Sequence, residues 1–203
     1  GWGLNDVLAL GGVTVAGEVV FGLVPARESA SLRPRAPLQL AAMSAAGTAQ
    51  LEVDGLVVSD EHVVARLAIQ EWRAADVRTT AALNPAVLGV AQAATDRLSA
   101  VGAERGLAAA SDLAPELAGR LADVRTRAYA LADDPGSAAE AALEVRAQGQ
   151  RLCLDATAAL VTASGGSAMA LADPAQRWAR EALFLVVQGQ TLPSREALLR
   201  TWP

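Results

Sequence analysis

The hydrophobic and polar positions divide the chain into a Val-rich N-terminal stretch and a longer stretch with helical periodicity. Residues 13–25 (VTVAGEVVFGLVP) and 49–59 (AQLEVDGLVVS) are short, Val-rich and interrupted by glycine, and the second alternates apolar and polar residues around the Asp54-Gly55 turn signal. The arginine- and proline-rich residues 26–37 between them favour a loop. We therefore predict four or five short strands in an open or partial sheet with exposed edges.

From about residue 61 onward, apolar residues recur at three- and four-residue spacing, as they do in amphipathic helices. The first helical stretch covers residues 61–101. Asn84-Pro85 lies inside it and predicts a kink, because proline removes an internal hydrogen bond. A second helix is predicted over residues 111–131, with Ser111 or Asp112 as its N-cap.

Two further helix starts carry local capping signals. Residues 133–137 indicate a turn, and a Ser137–Glu140 capping box then opens a third helix that runs to about residue 162. Asp173-Pro174 starts a fourth helix, with the aspartate as the cap and the proline in the first turn. A short helix over residues 193–200 follows a break at Gly189.

These elements define the predicted fold class, which is α+β and mostly α. Residues 1–60 form a partial β domain, and residues 61–203 form an antiparallel four-helix bundle, because helices of this length joined by short connections pack in that way. The sequence starts at Gly1-Trp2-Gly3 inside an apparent strand meander. We therefore expect an upstream portion, or a partner that supplies it.

Composition narrows the class of protein further. Apolar residues make up 52% of the chain but aromatic residues only 3%, so the core is expected to consist mainly of Ala, Leu and Val. The longest apolar runs are far shorter than a membrane span, and no segment has the pattern of a signal peptide. The net charge of −5 argues against nucleic-acid binding, which needs a basic face. All 17 basic residues are arginine, which favours bidentate ion pairs and phosphate contacts.

Motifs for independent catalysis are scarce. The sequence has no P-loop, GxGxxG, HExxH, CxxC or GxSxG motif. Its one histidine, His62, lacks a second metal ligand nearby and is expected to be structural. Its one cysteine, Cys153, excludes an internal disulfide, fits a reducing cytoplasm, and lies in a helical pattern that favours a small buried residue over a reactive thiol.

Three stretches, in order along the chain, resemble the acyl-CoA dehydrogenase family. Residues 45–64 (AAGTAQLEVDGLVVSDEHVV) resemble the end of that family's middle β domain. Residues 75–98 (ADVRTTAALNPAVLGVAQAATDRL) resemble its first bundle helix, with Arg78 and Gly89 at the family's usual arginine and glycine. Residues 164–184 (SGGSAMALADPAQRWAREALF) resemble its Gly-Gly … Arg-x-x-Arg-Asp run. The resemblance covers nearly the whole chain and implies an FAD-dependent oxidation of acyl-CoA thioesters.

The resemblance also implies where a cofactor would be contacted. In this family each FAD lies across a dimer interface, and the second subunit supplies an arginine and a diglycine to it. Arg105 and Gly165-Gly166 match those positions, and Leu121-Ala122-Asp123 follows Arg105 at the family's spacing. Arginine pairs with phosphate through a fork of donors, and glycines allow close backbone approach. The alternatives are a surface charge at Arg105 and a helix terminator at Gly165-Gly166.

Departures from the family pattern affect catalysis. The family's usual base, a glutamate before a glycine, is replaced by Gln188-Gly189, and an alternative base position before the bundle arginine holds Val77. Neither side chain accepts a proton near neutral pH. No catalytic residue is therefore assigned to this chain. The family's Phe-Gly reads Leu107-Ala108, and its next glutamine falls at Pro115, which weakens part of the nucleotide contact.

Three hypotheses for the function of this chain remain open from the sequence. The first is a subunit without its own base in a hetero-oligomeric acyl-CoA dehydrogenase. It resembles the paired unlike subunits of actinobacterial steroid-CoA dehydrogenases, which implies an α2β2 assembly whose partner holds most of the FAD and the acyl-CoA. The second is part of a longer homo-oligomeric flavoenzyme. The third is a flavin-free helical scaffold or interaction protein that keeps only the fold. A cytoplasmic location is expected, with neither nucleic acid nor membrane as a partner.

Overall fold

The structure is a computed structural model that describes residues 1–134, 136 and 138–203. The chain forms two compact units, Gly1–Asp76 and Val77–Pro203. The first unit contains the β-structure and the second contains the helical bundle. The predicted fold class, a small β portion followed by a mostly helical one, is confirmed.

The first unit contains two small antiparallel sheets. The larger sheet has the strand order β1-β2-β5, and the smaller one pairs β3 with β4. The described strands are β1 (Val7–Val13), β2 (Glu18–Pro25), β3 (Leu32–Pro34), β4 (Leu51–Val53) and β5 (Val63–Ala68). Val19, Val24 and Leu32 are the buried apolar residues of these strands. Both sheets are open, as the short, glycine-interrupted strands predicted.

Two sequence predictions for this unit were wrong. The chain is not helical from residue 61, because Val63–Ala68 pairs with β2 and alternates in burial along its length. The loop predicted over residues 26–37 contains the strand β3. Asp54-Gly55 lies at the predicted turn signal but does not join two strands of a hairpin. Gly55 has a left-handed φ of 61°, but only Leu51–Val53 before it is a strand, and its partner is β3. The predicted division between a β domain and a helical domain at residue 60 stays a prediction; β5 continues the β structure beyond it.

The described helices continue through the second unit. They are α1 (Ile69–Ala81), which crosses from the first unit, α2 (Pro85–Arg105), α3 (Ala108–Asp133), α4 (Ala139–Ser164), α5 (Pro174–Val187) and α6 (Leu192–Leu199). A 3-10 turn at Gly165–Met169 joins α4 towards α5. Helix α4 packs against α2, α3, α5 and α6 and is therefore the central helix of the bundle.

The helix starts test the capping predictions. Asp173 caps α5 as predicted, since its Oδ1 accepts the N–H of Ala175 at 2.8 Å. Asn84-Pro85 breaks the helix completely, and Asn84 becomes the N-cap of α2. The predicted caps at Ser111 or Asp112 were wrong, because α3 starts at Ala108.

A left-handed glycine explains the early start of α3. Gly106 has a φ of 64° and ends α2, and the carbonyl of Leu107 then accepts the N–H groups of Ala110 and Ser111. The chain thus turns directly into α3. The predicted Ser137–Glu140 capping box lies outside the described residues at Ser137.

The core of the second unit consists of Ala, Leu and Val, as the composition predicted. Cys153 is 1% exposed and joins this core, which confirms the expected burial. Residues 139–169 are long and apolar enough to span a membrane by length and composition alone, with a mean hydropathy of 1.2. The central position of α4 in the bundle accounts for that composition, because a helix packed on most sides is apolar on most sides.

Candidate functional site

Arg105 and the diglycine lie together at one end of the bundle, which we call the Arg105 end (Arg105 and residues 163–167). Arg105 is the last residue of α2. Its Nη1 donates to the carbonyl of Ser164 at 2.8 Å and to that of Ala163 at 3.4 Å, and its Nη2 donates to Ser167 Oγ at 3.2 Å. The last carbonyls of a helix carry partial negative charge, so a cation is favourable there.

Gly165 has a structural task at this end. Its φ of 60° and ψ of −148° form a backbone conformation open to glycine and strained for other residues. Its N–H returns to the carbonyls of Thr162 and Val161 and so ends α4. Gly166 differs: its φ is not in the left-handed region, and no atom lies within 4 Å of where a Cβ would be. The surface beside Gly166 is therefore open.

The Arg105 end fits a phosphate group in part. The described hydrogen bonds use two N–H groups on Nη1 and one on Nη2, which leaves Nε and the second Nη2 hydrogen of the exposed guanidinium as donors. The N–H of Gly165 is already used within α4. The end can therefore offer a charged fork and an open surface at Gly166, but not a backbone N–H from Gly165.

Gln188 lies at the opposite end of the bundle, which we call the Gln188 end (Asn84, Arg146, Gln188 and Gly189). It follows α5, and its Oε1 accepts a hydrogen bond from Nδ2 of Asn84 at 3.0 Å. The other amide atom of Asn84, Oδ1, accepts the N–H of Ala86 and caps α2. A neutral amide in this place binds and orients but takes no proton near pH 7.

A buried arginine holds the Gln188 end together, and sequence reasoning missed it. Arg146 on α4 is 6% exposed, and it donates to the backbone carbonyls of Thr80, Gln188 (2.9 Å) and Gly189 (3.3 Å). Burial lowers the pKa of its guanidinium below the ordinary value, because the charged form loses water. Arg146 thus joins the end of α1 to the turn that follows α5.

The signal for Arg146 was a polar stripe within an apolar helix. Arg146, Gln150 and Thr157 recur at helical spacing beside Cys153, and all four are buried. Gln150 repeats the capping role of Arg146, since its Nε2 donates to the carbonyl of Leu185 at 2.9 Å near the end of α5. Buried polar side chains need partners, so such a stripe indicates contacts with distant backbone.

The Arg105 end and the Gln188 end are far apart in one chain. Helix α2 starts beside Gln188 and ends at Arg105, and its 21 residues span about 30 Å at 1.5 Å per residue. Helix α4 makes the return path from Arg146 to Ser164. A single phosphate-sized group therefore cannot contact both ends of one chain.

The surroundings of the other candidate residues do not point to catalysis or metal binding. Val77 is 54% exposed and non-titratable. His62 lies on the surface with its Nδ1 2.8 Å from Ser59 Oγ, and the described residues contain no cluster of three or more His, Cys, Asp or Glu side chains that could hold a metal. Burial raises the pKa of the Cys153 thiol to about 12, which keeps it protonated and unreactive at neutral pH. Arg177 pairs with Glu181 on the surface of α5 at 3.6 Å.

Comparison with known proteins finds similar structures but no similar sequences. No family model and no curated protein sequence matches the chain. Its structure is similar to that of butyryl-CoA dehydrogenase from Megasphaera elsdenii, with a TM-score of 0.77 and 14% identity over 97% of this chain and 55% of that one. It is also similar to a glutaryl-CoA dehydrogenase from Mycobacterium smegmatis in complex with FADH2, with a TM-score of 0.75 and 16% identity over 98% and 55% of the two chains.

A third similar structure has a different activity. The flavoprotein nitroalkane oxidase matches with a TM-score of 0.74 and 14% identity, over 96% of this chain and 54% of that one. The chain therefore has the C-terminal fold of the acyl-CoA dehydrogenases, and it spans just over half the length of the structures that it matches. At these identities the likeness defines the fold, and the activity must be argued from the two ends of the bundle.

Proposed function

We propose that this chain is a subunit of an FAD-dependent acyl-CoA dehydrogenase that lacks its own catalytic base and supports a flavin site on a partner subunit. The observation that carries the proposal is the contrast between the two ends of the bundle. The Arg105 end keeps an exposed guanidinium with unused donors beside an open glycine surface. At the Gln188 end, the residue that the family resemblance aligns with the usual base is a neutral amide, which is hydrogen-bonded to Asn84.

The proposed role of Arg105 is to hold a phosphate of the partner's FAD. Its Nη1 stays on the carbonyls that end α4, so the guanidinium is positioned before the ligand arrives. Nε and the second Nη2 hydrogen then face the phosphate, and Gly166 lets the ligand approach the backbone. Gly165 fixes the turn that presents both. FAD, when bound, supplies the hydride acceptor for α,β-dehydrogenation of the thioester.

The proposed role of the Gln188 end is structural. Gln188 contacts Asn84 through its side chain and Arg146 through its carbonyl, so it ties the start of α2 to the N-terminal part of α4. A titratable base that removes the α-proton of the substrate would come from the partner. The acyl-CoA would bind there too.

Finer points of the proposal concern the assembly and the substrate. We infer an α2β2 hetero-oligomer, since the two ends of one bundle are too far apart to serve one flavin and two unlike subunits can complement each other. A steroid side-chain thioester is the proposed acyl group, and the cytoplasm is the proposed location. Neither nucleic acid nor a membrane is part of the proposed function.

A flavin-free scaffold is the second candidate, and one observation favours it. Arg105 already makes three hydrogen bonds within the chain, and the N–H of Gly165 is already used. The Arg105 end is thus complete as a helix terminus without any ligand. On this reading the bundle acts only as a surface for assembly.

The visible spectrum separates the two candidates. The chain is purified alone and after co-expression with acyl-CoA-dehydrogenase-like proteins encoded beside its gene, and flavin absorbance is recorded per complex. Flavin in the complex and not in the chain alone supports the proposed subunit. A stable complex without flavin, even after incubation with FAD, contradicts it and supports the scaffold. Gln188→Glu in the isolated chain is the control, and we expect no dehydrogenase activity from it.

A further inference from the structure

An apolar cavity lies in the second unit at the break between α1 and α2. It has a volume of about 490 Å³, within the range of roughly 300–1,000 Å³ typical of small-molecule sites. Its walls come from the end of α1, the start of α2, the end of α3 and the start of α4. The apolar lining residues are Ala82, Leu83, Pro85, Leu88, Ala128, Leu131, Ala132, Ala139, Ala142 and Val145.

The break at Asn84-Pro85 helps to create this space. A continuous helix would carry its side chains past the ends of α3 and α4, whereas the extended backbone of Asn84 separates α1 from α2 there. Deeper in the bundle, Leu83 packs onto Gly149. A Cβ at Gly149 would lie 2.8 Å from Leu83 Cδ2 and would displace that side chain. Because Gly149 has no Cβ, Leu83 can pack against it and line the cavity.

Four polar residues complete the lining: Arg78, Thr79, Tyr129 and Asp134. Arg78 is exposed, and its guanidinium forms no ion pair with the carboxylates that the structure describes. Asp134 accepts the N–H of Gly136 at 2.9 Å. A negatively charged ligand group would be repelled by Asp134 and attracted by Arg78. The cavity thus has mainly apolar walls and one arginine, Arg78, that can bind an anionic group of a ligand.

We propose that this cavity binds a small monocarboxylate with an apolar body, with its carboxylate at Arg78 and its hydrocarbon against Leu83, Leu88 and Val145. The aliphatic residues, which make up most of the lining, favour a saturated chain or ring. Arg78 favours a carboxylate, because guanidinium and carboxylate form paired charge-assisted hydrogen bonds. This proposal concerns the cavity of the isolated chain and is independent of flavin binding.

Decanoate and its neutral analogue decanol test the charge. Isothermal titration calorimetry is performed on the full chain below the micelle concentration of decanoate. Since exposed ion pairs contribute up to about 1 kcal/mol, Arg78→Gln is expected to raise the Kd of decanoate about threefold to fivefold and to change that of decanol less than twofold. Arg73→Gln, an exposed arginine on α1 outside the lining, is the matched control and should change neither.

Filling the cavity tests the location. Ala142→Leu should weaken both ligands at least tenfold, because the added side chain occupies the volume that the hydrocarbon needs. Ala130→Leu, an exposed position on α3 outside the lining, should leave both affinities unchanged, and circular dichroism checks that each variant folds. The absence of saturable binding to the unaltered chain overturns the proposal. So does equal weakening by Arg78→Gln and Arg73→Gln, or binding that survives Ala142→Leu.

Discussion

Two arginines close helix ends at opposite poles of this bundle, and they do so in different surroundings. Arg105 reaches the last carbonyls of α4 from an exposed position. Arg146 reaches carbonyls at the end of α1 and after α5 from the interior. The chemistry of the contact is the same, but only the exposed arginine has donors that a ligand can reach.

Burial decides which end can exchange partners. Arg146 is 6% exposed, and replacing its backbone acceptors by water would require the turn after α5 to open. The exposed Arg105 guanidinium bonds to Ser164, Ala163 and Ser167 and keeps Nε and one Nη2 hydrogen outside these bonds. This difference supports the proposal of a structural role for the Gln188 end and of phosphate recognition at the Arg105 end.

Loss of Arg146 is the largest expected effect. Arg146→Met keeps the aliphatic part of the side chain but removes the donor to the carbonyls of Gln188 and Gly189. We expect the free energy of unfolding to fall by about 3 kcal/mol, because the variant loses several partly buried hydrogen bonds from a charged donor. Urea unfolding followed by circular dichroism measures it.

Arg97→Met is the control for this variant. Arg97 forms an exposed ion pair with Glu104, and its removal should cost less than about 1 kcal/mol. Equal effects of Arg146→Met and Arg97→Met would mean that Arg146 does not hold the junction.

Substitution by alanine should affect the stability of the chain much more at Gly165 than at Gly166. Gly165→Ala forces a side chain into the conformation at φ 60° and ψ −148°, and we expect a loss of about 2 kcal/mol. Gly166→Ala meets open space and should change the stability by less than about 0.5 kcal/mol. Thermal unfolding of both variants is the measurement. A neutral Gly165→Ala would contradict the account of how α4 ends.

Asn84 tests the local structure of the Gln188 end. Asn84→Ala removes the N-cap of α2 and should cost about 1 kcal/mol. Asn84→Asp keeps the cap acceptor but loses the donor to Gln188, so most of the stability should remain. Urea unfolding compares the pair. If both variants lose the same amount, the contact with Gln188 stabilises α2 more than the cap does.

Arg105 should matter least for the stability of the isolated chain. Its contacts are exposed, so Arg105→Gln is expected to cost less than about 1 kcal/mol. Urea unfolding under the same conditions compares the free energy that Arg105→Gln loses with the free energy that Arg146→Met loses. A larger loss in Arg105→Gln than in Arg146→Met would reverse the assignment of the structural and the recognition end.

Local signals in the sequence predicted local structure well. Asp173-Pro174 starts α5 because the cap and the proline act within one turn. The helix break at Asn84-Pro85 has the same origin, although the sequence predicted only a kink. Gly106 was overlooked, and its left-handed conformation moved the start of α3 to Ala108.

Features set by distant parts of the chain were harder to predict. The apolar residues of Val63–Ala68 are compatible with the spacing of an α-helix or of a β-strand. The segment forms a strand because it pairs with β2. The role of Arg146 depends on carbonyls 42 to 66 residues away along the chain. The same holds for the candidate site. The family resemblance assigned Arg105 and Gly165-Gly166 to one cofactor contact, but the hydrogen bonds of Arg105 to the end of α4 were visible only in the structure.

On the proposed function, the Arg105 end serves a partner's flavin and the Gln188 end supplies no base. The decisive measurement is the FAD dissociation constant, together with the dehydrogenase rate, of the complex that carries either Arg105→Gln or Gln188→Ala. We predict that Arg105→Gln raises the dissociation constant about tenfold or more, as expected for a lost charge-assisted contact, and that Gln188→Ala changes neither quantity more than twofold. A complex that loses its turnover with Gln188→Ala, while Arg105→Gln binds FAD normally, would contradict the account.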